Sequence, residues 1–90
     1  MNRLPVEIGS VVISKAGRDQ GRRFLVVGEL DADFVWIANG DLRGIDRRKK
    51  KRRKHLKPTG QVVQALRDRL DEGKPVKDHE LRSWLSEEEK

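Results

Sequence analysis

Short apolar segments divided by short turns leave this chain one kind of architecture. Residues 8–14, 23–30, 34–38 and about 42–46 each carry Val, Ile, Leu or aromatic side chains, and the turns between them are three to eight residues long. A parallel connection needs roughly a dozen residues or more. The strands these segments predict must therefore pair antiparallel, and several at this spacing read as a small barrel or sandwich. Gly17 and Gly21 divide the first pair, Asp31 and Asp33 the second, and Asn39-Gly40 the third. Asn-Gly favours the left-handed conformations of a tight hairpin. His55-Leu56-Lys57 is placed to close the set.

Eight consecutive cations, Arg47-Arg48-Lys49-Lys50-Lys51-Arg52-Arg53-Lys54, interrupt this pattern. Such a run does not fit a barrel core, and its self-repulsion predicts an exposed loop, poorly ordered until an anion neutralises it. Thr59 then stands as an N-cap for a helix from 60 to about 72, with Val62 or Val63, Leu66 and Leu70 at helical spacing and Gly73 as its stop. After Lys74-Pro75, Asp78 caps a second helix on which Leu81, Trp84 and Leu85 share a face, ahead of the acidic Glu87-Glu88-Glu89. The expectation is mainly β with C-terminal α. A barrel module occupies 1–58, including a basic loop at 47–54, and a helical hairpin appendage occupies 59–90.

Charge narrows the partner. With 21 Lys and Arg against 15 Asp and Glu, the net charge is +6 and the pI about 10.1. Residues 1–60 hold 15 basic and 7 acidic side chains, and residues 61–90 hold 6 and 8, so the cationic footprint belongs to the predicted barrel. A polyanion, nucleic acid above all, is the partner such a surface selects. Ninety residues, 40% of them charged, supply one small core and no deep catalytic cleft. Without cysteine there are no disulfides and no common zinc-finger ligand set. The longest apolar runs, 24–27 and 34–38, are far shorter than the roughly 20 residues that span a bilayer. No signal-peptide pattern stands at the start, and the expected setting is cytoplasmic, with no membrane partner.

The segment from Gly9 to Gly40 carries a further signal. Gly9-Ser-Val-Val, then Lys15-Ala-Gly-Arg-Asp-Gln-Gly-Arg22, a Val-rich strand, an acidic turn, another apolar strand and Asn39-Gly40 resemble the KOW motif, with Gly21 as its hallmark glycine. The resemblance is strongest to the KOW domains of ribosomal proteins L14e, L6e and L27e and their small bacterial RNA-binding relatives. It implies an SH3-like barrel whose loops contact ribosomal RNA. KOW domains also occur in transcription elongation factors of the NusG kind, where some contact protein. The cationic run and Lys54-His-Leu-Lys-Pro58 favour the ribosomal branch.

Each candidate contact has a plainer alternative. In the turn at 15–23, Lys15, Arg18, Arg22 and Arg23 surround two glycines that let backbone N–H groups approach a phosphate; the plain alternative is a hairpin loop kept soluble by charge. Asp19 fits a pure phosphate cradle poorly and suits a pair with a neighbouring arginine. Arg47 to Lys54, together with His55 and Lys57, reads as a backbone contact that carries affinity and little base sequence, or else as a solvated run or nuclear localisation signal. Arg43 is a rim contact or a partner of Asp41. Phe34 and Trp36 share one side of their strand and Val35 and Ile37 the other. The two rings either stack unpaired bases or cover the barrel and receive the helices. Leu66, Leu70, Trp84 and Leu85 offer an alternative protein-contact face.

Chemistry finds no support. Gly17 and Gly21 are separated by three residues, not the four of a P-loop, and no Lys-Ser or Lys-Thr follows. His55 and His79 have no metal-ligand spacing, and Asp78, His79 and Ser83 make no triad. We expect no active site, metal, cofactor or small-molecule substrate. The expected protein is a monomeric binder of RNA, ribosomal RNA first, with ribosomal proteins as possible neighbours. A module docking on protein within a transcription or translation complex is the alternative.

Overall fold

Five strands pair antiparallel in the order β4-β3-β2-β1-β5: β1 (Ser10–Ser14), β2 (Arg23–Glu29), β3 (Phe34–Ala38), β4 (Lys49–Arg52) and β5 (Leu56–Val62). Two helices follow, α1 (Gln64–Asp71) and α2 (Asp78–Glu88). The structure, a computed structural model, describes residues 6–88. Pro5, read as bounding the first strand, and Glu89, in the acidic stretch, lie outside the described residues.

Alternation along the strands builds two apolar layers, because successive side chains point to opposite faces. Val12, Phe24, Val26, Val35 and Ile37 form the inner layer with Leu56 and Val6. Val11, Leu25, Val27 and Ala38 form the outer one, covered by Val63, Leu66, Val76, Leu81 and Leu85. The helices thus share a core with the sheet. Bulges between Ser10 and Val12 and between Val26 and Gly28 bend it, and Leu56 on one edge joins the same apolar cluster as Val35 and Ile37 near the other. The sheet stays open: β4 and β5 are its edges, joined by a 3₁₀ turn at Arg53–His55.

Three local expectations need correction. Residues 42–46 are not a strand; they belong to a loop and a 3₁₀ turn at Ile45–Arg47, and the fourth strand is Lys49–Arg52, inside the cationic run expected to be a loop. Its cations alternate across an edge strand instead of crowding one surface. Asn39-Gly40 makes no two-residue hairpin. The Asn39 carboxamide oxygen accepts from the N–H groups of Asp41 and Arg43 at 3.0 and 2.9 Å, closing a wider loop that seats α2. Gly40, at φ +78°, lies against the Asp78 carbonyl where a Cβ would overlap it, and the Asp78 carboxylate accepts from Ile45 N–H at 2.7 Å. Thr59 caps no helix: it lies in β5, its hydroxyl donating to the Val11 carbonyl at 2.9 Å, and α1 starts at Gln64.

Candidate nucleic-acid interface

The turn between β1 and β2 is built from its own backbone. Ser14 N–H donates to Arg22 O at 3.0 Å, Gly21 N–H to Ser14 O at 2.8 Å and Arg22 N–H to Asp19 O at 2.9 Å. Gly21 takes φ +86° with open space around it, so conformation and not crowding requires glycine there. Lys15, Arg18 and Arg22 project into solvent, and Arg23, half-buried, reaches Gln61 Oε1 at 3.4 Å.

This turn is held by the cationic run. Lys51, only 8% exposed, donates from Nζ to the Ala16 carbonyl at 3.1 Å. Lys49 Nζ donates to Asp19 Oδ2 at 3.1 Å, and Arg43 lies 3.8 Å from the same oxygen. Burial alone would raise the Asp19 carboxyl. The hydrogen bond from Lys49 and the charges of Lys49, Arg43 and Lys51 outweigh it and hold the group below the usual aspartate value. Asp19 is therefore the anionic keystone of a basic surface, and Arg43, for which Asp41 was the alternative partner to a rim contact, lies within ion-pair distance of Asp19.

The other face of β4 behaves differently. The register sets Phe34 opposite Arg52 and Trp36 opposite Lys50. Arg48 Cζ lies 5.0 Å from the Trp36 ring centroid, and Lys50 Nζ and Arg52 Cζ lie 5.0 and 5.1 Å from that of Phe34. Each such contact contributes about 0.5–1 kcal/mol at an exposed site. Trp36 packs at the border of the helix-covered core; Phe34 joins neither core. Arg48, Lys50 and Arg52 are exposed. Arg53 turns inward, donating to Val6 O, to Glu29 Oε2 at 2.8 Å and to Asp31 O at 3.3 Å, which ties the β4 edge to the β2–β3 turn.

Beyond Arg52 the exposed cations continue into a groove of about 730 Å³ lined by Lys15, Arg52, Arg53 and Lys54 over Val6, Leu56 and Pro58, with Ala32 and Asp33 opposite. Arg47, Lys54 and Lys57 are exposed and His55 half-buried. Turn and run thus meet: the inward lysines fix the turn, and Lys15 from the turn shares a groove with Lys54 from the run. Among the described residues no group of three or more His, Cys, Asp or Glu could hold a metal ion, and no helix is long and apolar enough to cross a membrane.

No family model matches the chain. Individual relatives do. Over 68 residues it is 37% identical to large ribosomal subunit protein eL14 of Desulfurococcus amylolyticus and 35% identical to that of Staphylothermus marinus, covering 74% of this chain and 70% of each relative. The Pyrobaculum neutrophilum eL14 is 34% identical over 68 residues, 74% of this chain and 65% of its own length. The chain belongs to the eL14 family. Its likeness to L14e, read first from the glycine turn and the Asn39-Gly40 segment, is thereby a family membership.

Within this eL14 relative, the structure separates the apolar residues suspected of protein contact. Leu66 is fully buried and Leu85 8% exposed, both in the outer core, whereas Leu70 and Trp84 pack on that core half-exposed. One cation escaped the sequence reading. Arg82, in the acidic last third, donates to the Gly40 carbonyl and lines a second groove with Gly21, Arg22, Arg23 and Asn39. Nothing in its neighbourhood in sequence nominates it; only the docking of α2 on the 39–45 loop brings it to the glycine turn.

Proposed function

We propose that this chain is a ribosome-associated, cytoplasmic RNA-binding protein, that its curled sheet works as an SH3-like barrel of the KOW kind, and that its ligand is ribosomal RNA. One observation carries the reading most of the way. Lys50 and Arg52 stand exposed on the edge strand with Arg48 just before it, Arg52 shares a groove with Lys15 of the glycine turn and Lys54, and membership of the eL14 family supports a polyanion as the partner of that surface. The turn orients the RNA backbone and the outward cations of β4 supply affinity. Affinity is then strongly salt-dependent, since each single-strand phosphate neutralised releases about 0.7 counterion. The role is binding, with no reaction.

Crosslinking in cells followed by sequencing of the bound RNA tests this. Ribosomal RNA recovered at one location is the expected result; a diffuse signal across transcripts, or recovery of protein without RNA, contradicts it.

A further inference from the structure

Phe34 contributes to neither apolar layer, yet it is a half-exposed aromatic in the middle of the cationic surface. Its ring already carries Lys50 and Arg52. Trp36 repeats the arrangement with Arg48, and it lies over Gly28, where a Cβ would stand 3.2 Å from its Cδ1. A base reaching Phe34 must first displace two cations from it.

We propose that the two rings support cations and do not stack bases: they hold Arg48, Lys50 and Arg52 as a row along β4 that binds the sugar-phosphate backbone of a single RNA strand. The row leads into the groove bounded by Lys15 and Lys54. This rests on the RNA reading above and names the part of the RNA that is gripped. Alternate residues of a strand stand about 6.8 Å apart, a spacing comparable with that of successive phosphates along a nucleic-acid strand. Long cationic side chains lose rotamer freedom when they bind. A ring that already restricts them lowers that loss, and so preorganises the row. Lys49 and Lys51 point the other way and are engaged by Asp19 and Ala16, so the available charges form a single line.

The test compares binding of a short oligouridine and of an abasic strand of equal length, each at several salt concentrations, by the wild type, Phe34→Leu and Phe34→Tyr. Thermal unfolding of each variant accompanies the titrations. The abasic strand should bind within about twofold of oligouridine, because phosphates dominate. Phe34→Leu should weaken both by the same factor, about threefold to tenfold, with a shallower salt slope and a melting temperature lowered by no more than the loss of two cation–ring contacts accounts for. Phe34→Tyr, which keeps the ring, should restore binding. An abasic strand bound more than about tenfold more weakly would mean stacking and overturn the inference, as would a Phe34→Leu protein with wild-type affinity and slope. If Phe34→Leu melts early, the Phe34→Tyr and abasic arms decide alone. A wild type that binds neither strand overturns the single-strand grip, while the RNA reading itself is decided separately by the crosslinking result.

Discussion

Lys50 and Lys51 are adjacent, chemically identical and differently employed. Lys51 is 8% exposed and bonds the Ala16 carbonyl; Lys50 is exposed and rests on Phe34. The difference comes from the strand's period of two, imposed on a run with no alternation of its own. Lys49 and Lys51 share the inward side with Val35 and Ile37, and Arg48, Lys50 and Arg52 share the outward side with Phe34 and Trp36. A polycation need not be one functional unit. Here Lys49, Lys51 and Arg53 secure the fold and the other five cations face solvent, and charge counts alone cannot separate the two.

The contrast breaks first under replacement of the outward cations together. Arg48, Lys50, Arg52 and Lys54 all changed to Gln should lower RNA affinity by about a hundredfold or more at low salt and flatten the salt slope by about 3, with little change in stability. Titrations across a salt series read both quantities, and an unchanged slope would place binding elsewhere.

Gly21→Ala probes the turn that the inward lysines hold. The left-handed φ there costs an alanine about 1–2 kcal/mol, seen as a lower urea midpoint. Since a Cβ meets no neighbour within 4 Å, the loss should be conformational and no larger.

Asp19→Asn is the smaller change, about 1 kcal/mol at neutral pH through the weakened bond to Lys49. Its sign with pH follows from the depressed carboxyl. The contribution of Asp19 is fully present above the unfolded value of 3.8 and is lost as pH falls through the lower folded value. Stability curves of wild type and Asp19→Asn should run parallel from neutrality to about pH 4 and converge below it; curves that converge near neutrality would deny the pairing.

Legibility in the sequence varied with the kind of signal. β3 was readable to its end residues, because Phe34-Val-Trp-Ile-Ala38 alternates between an acidic turn and Asn-Gly. β4 was hidden, since strand readings rest on apolar alternation and its residues are all cations; what makes it a strand is its pairing with β3. β5 was seen only at its start. Pro58 and Gly60 discourage a strand reading, but Pro58 is tolerated on an edge and Gly60, at φ +88°, sits in the irregular stretch facing Ser10 to Val12. The candidate site was readable as a set of residues and not as an arrangement. No local pattern foretells that Asp19 pairs with Lys49, or that Arg82 comes to the glycine turn.

Two double variants of equal charge test the central claim most directly: Lys49→Gln/Lys51→Gln and Lys50→Gln/Arg52→Gln, each measured for melting temperature and for the salt slope of RNA binding. The outward pair should lose about 1.4 of slope and melt closer to the wild type than the inward pair does, and the inward pair should melt earlier and keep the slope when assayed well below its transition. Equal loss of slope in both pairs would contradict the division of the run, and with it the account of how this surface meets RNA.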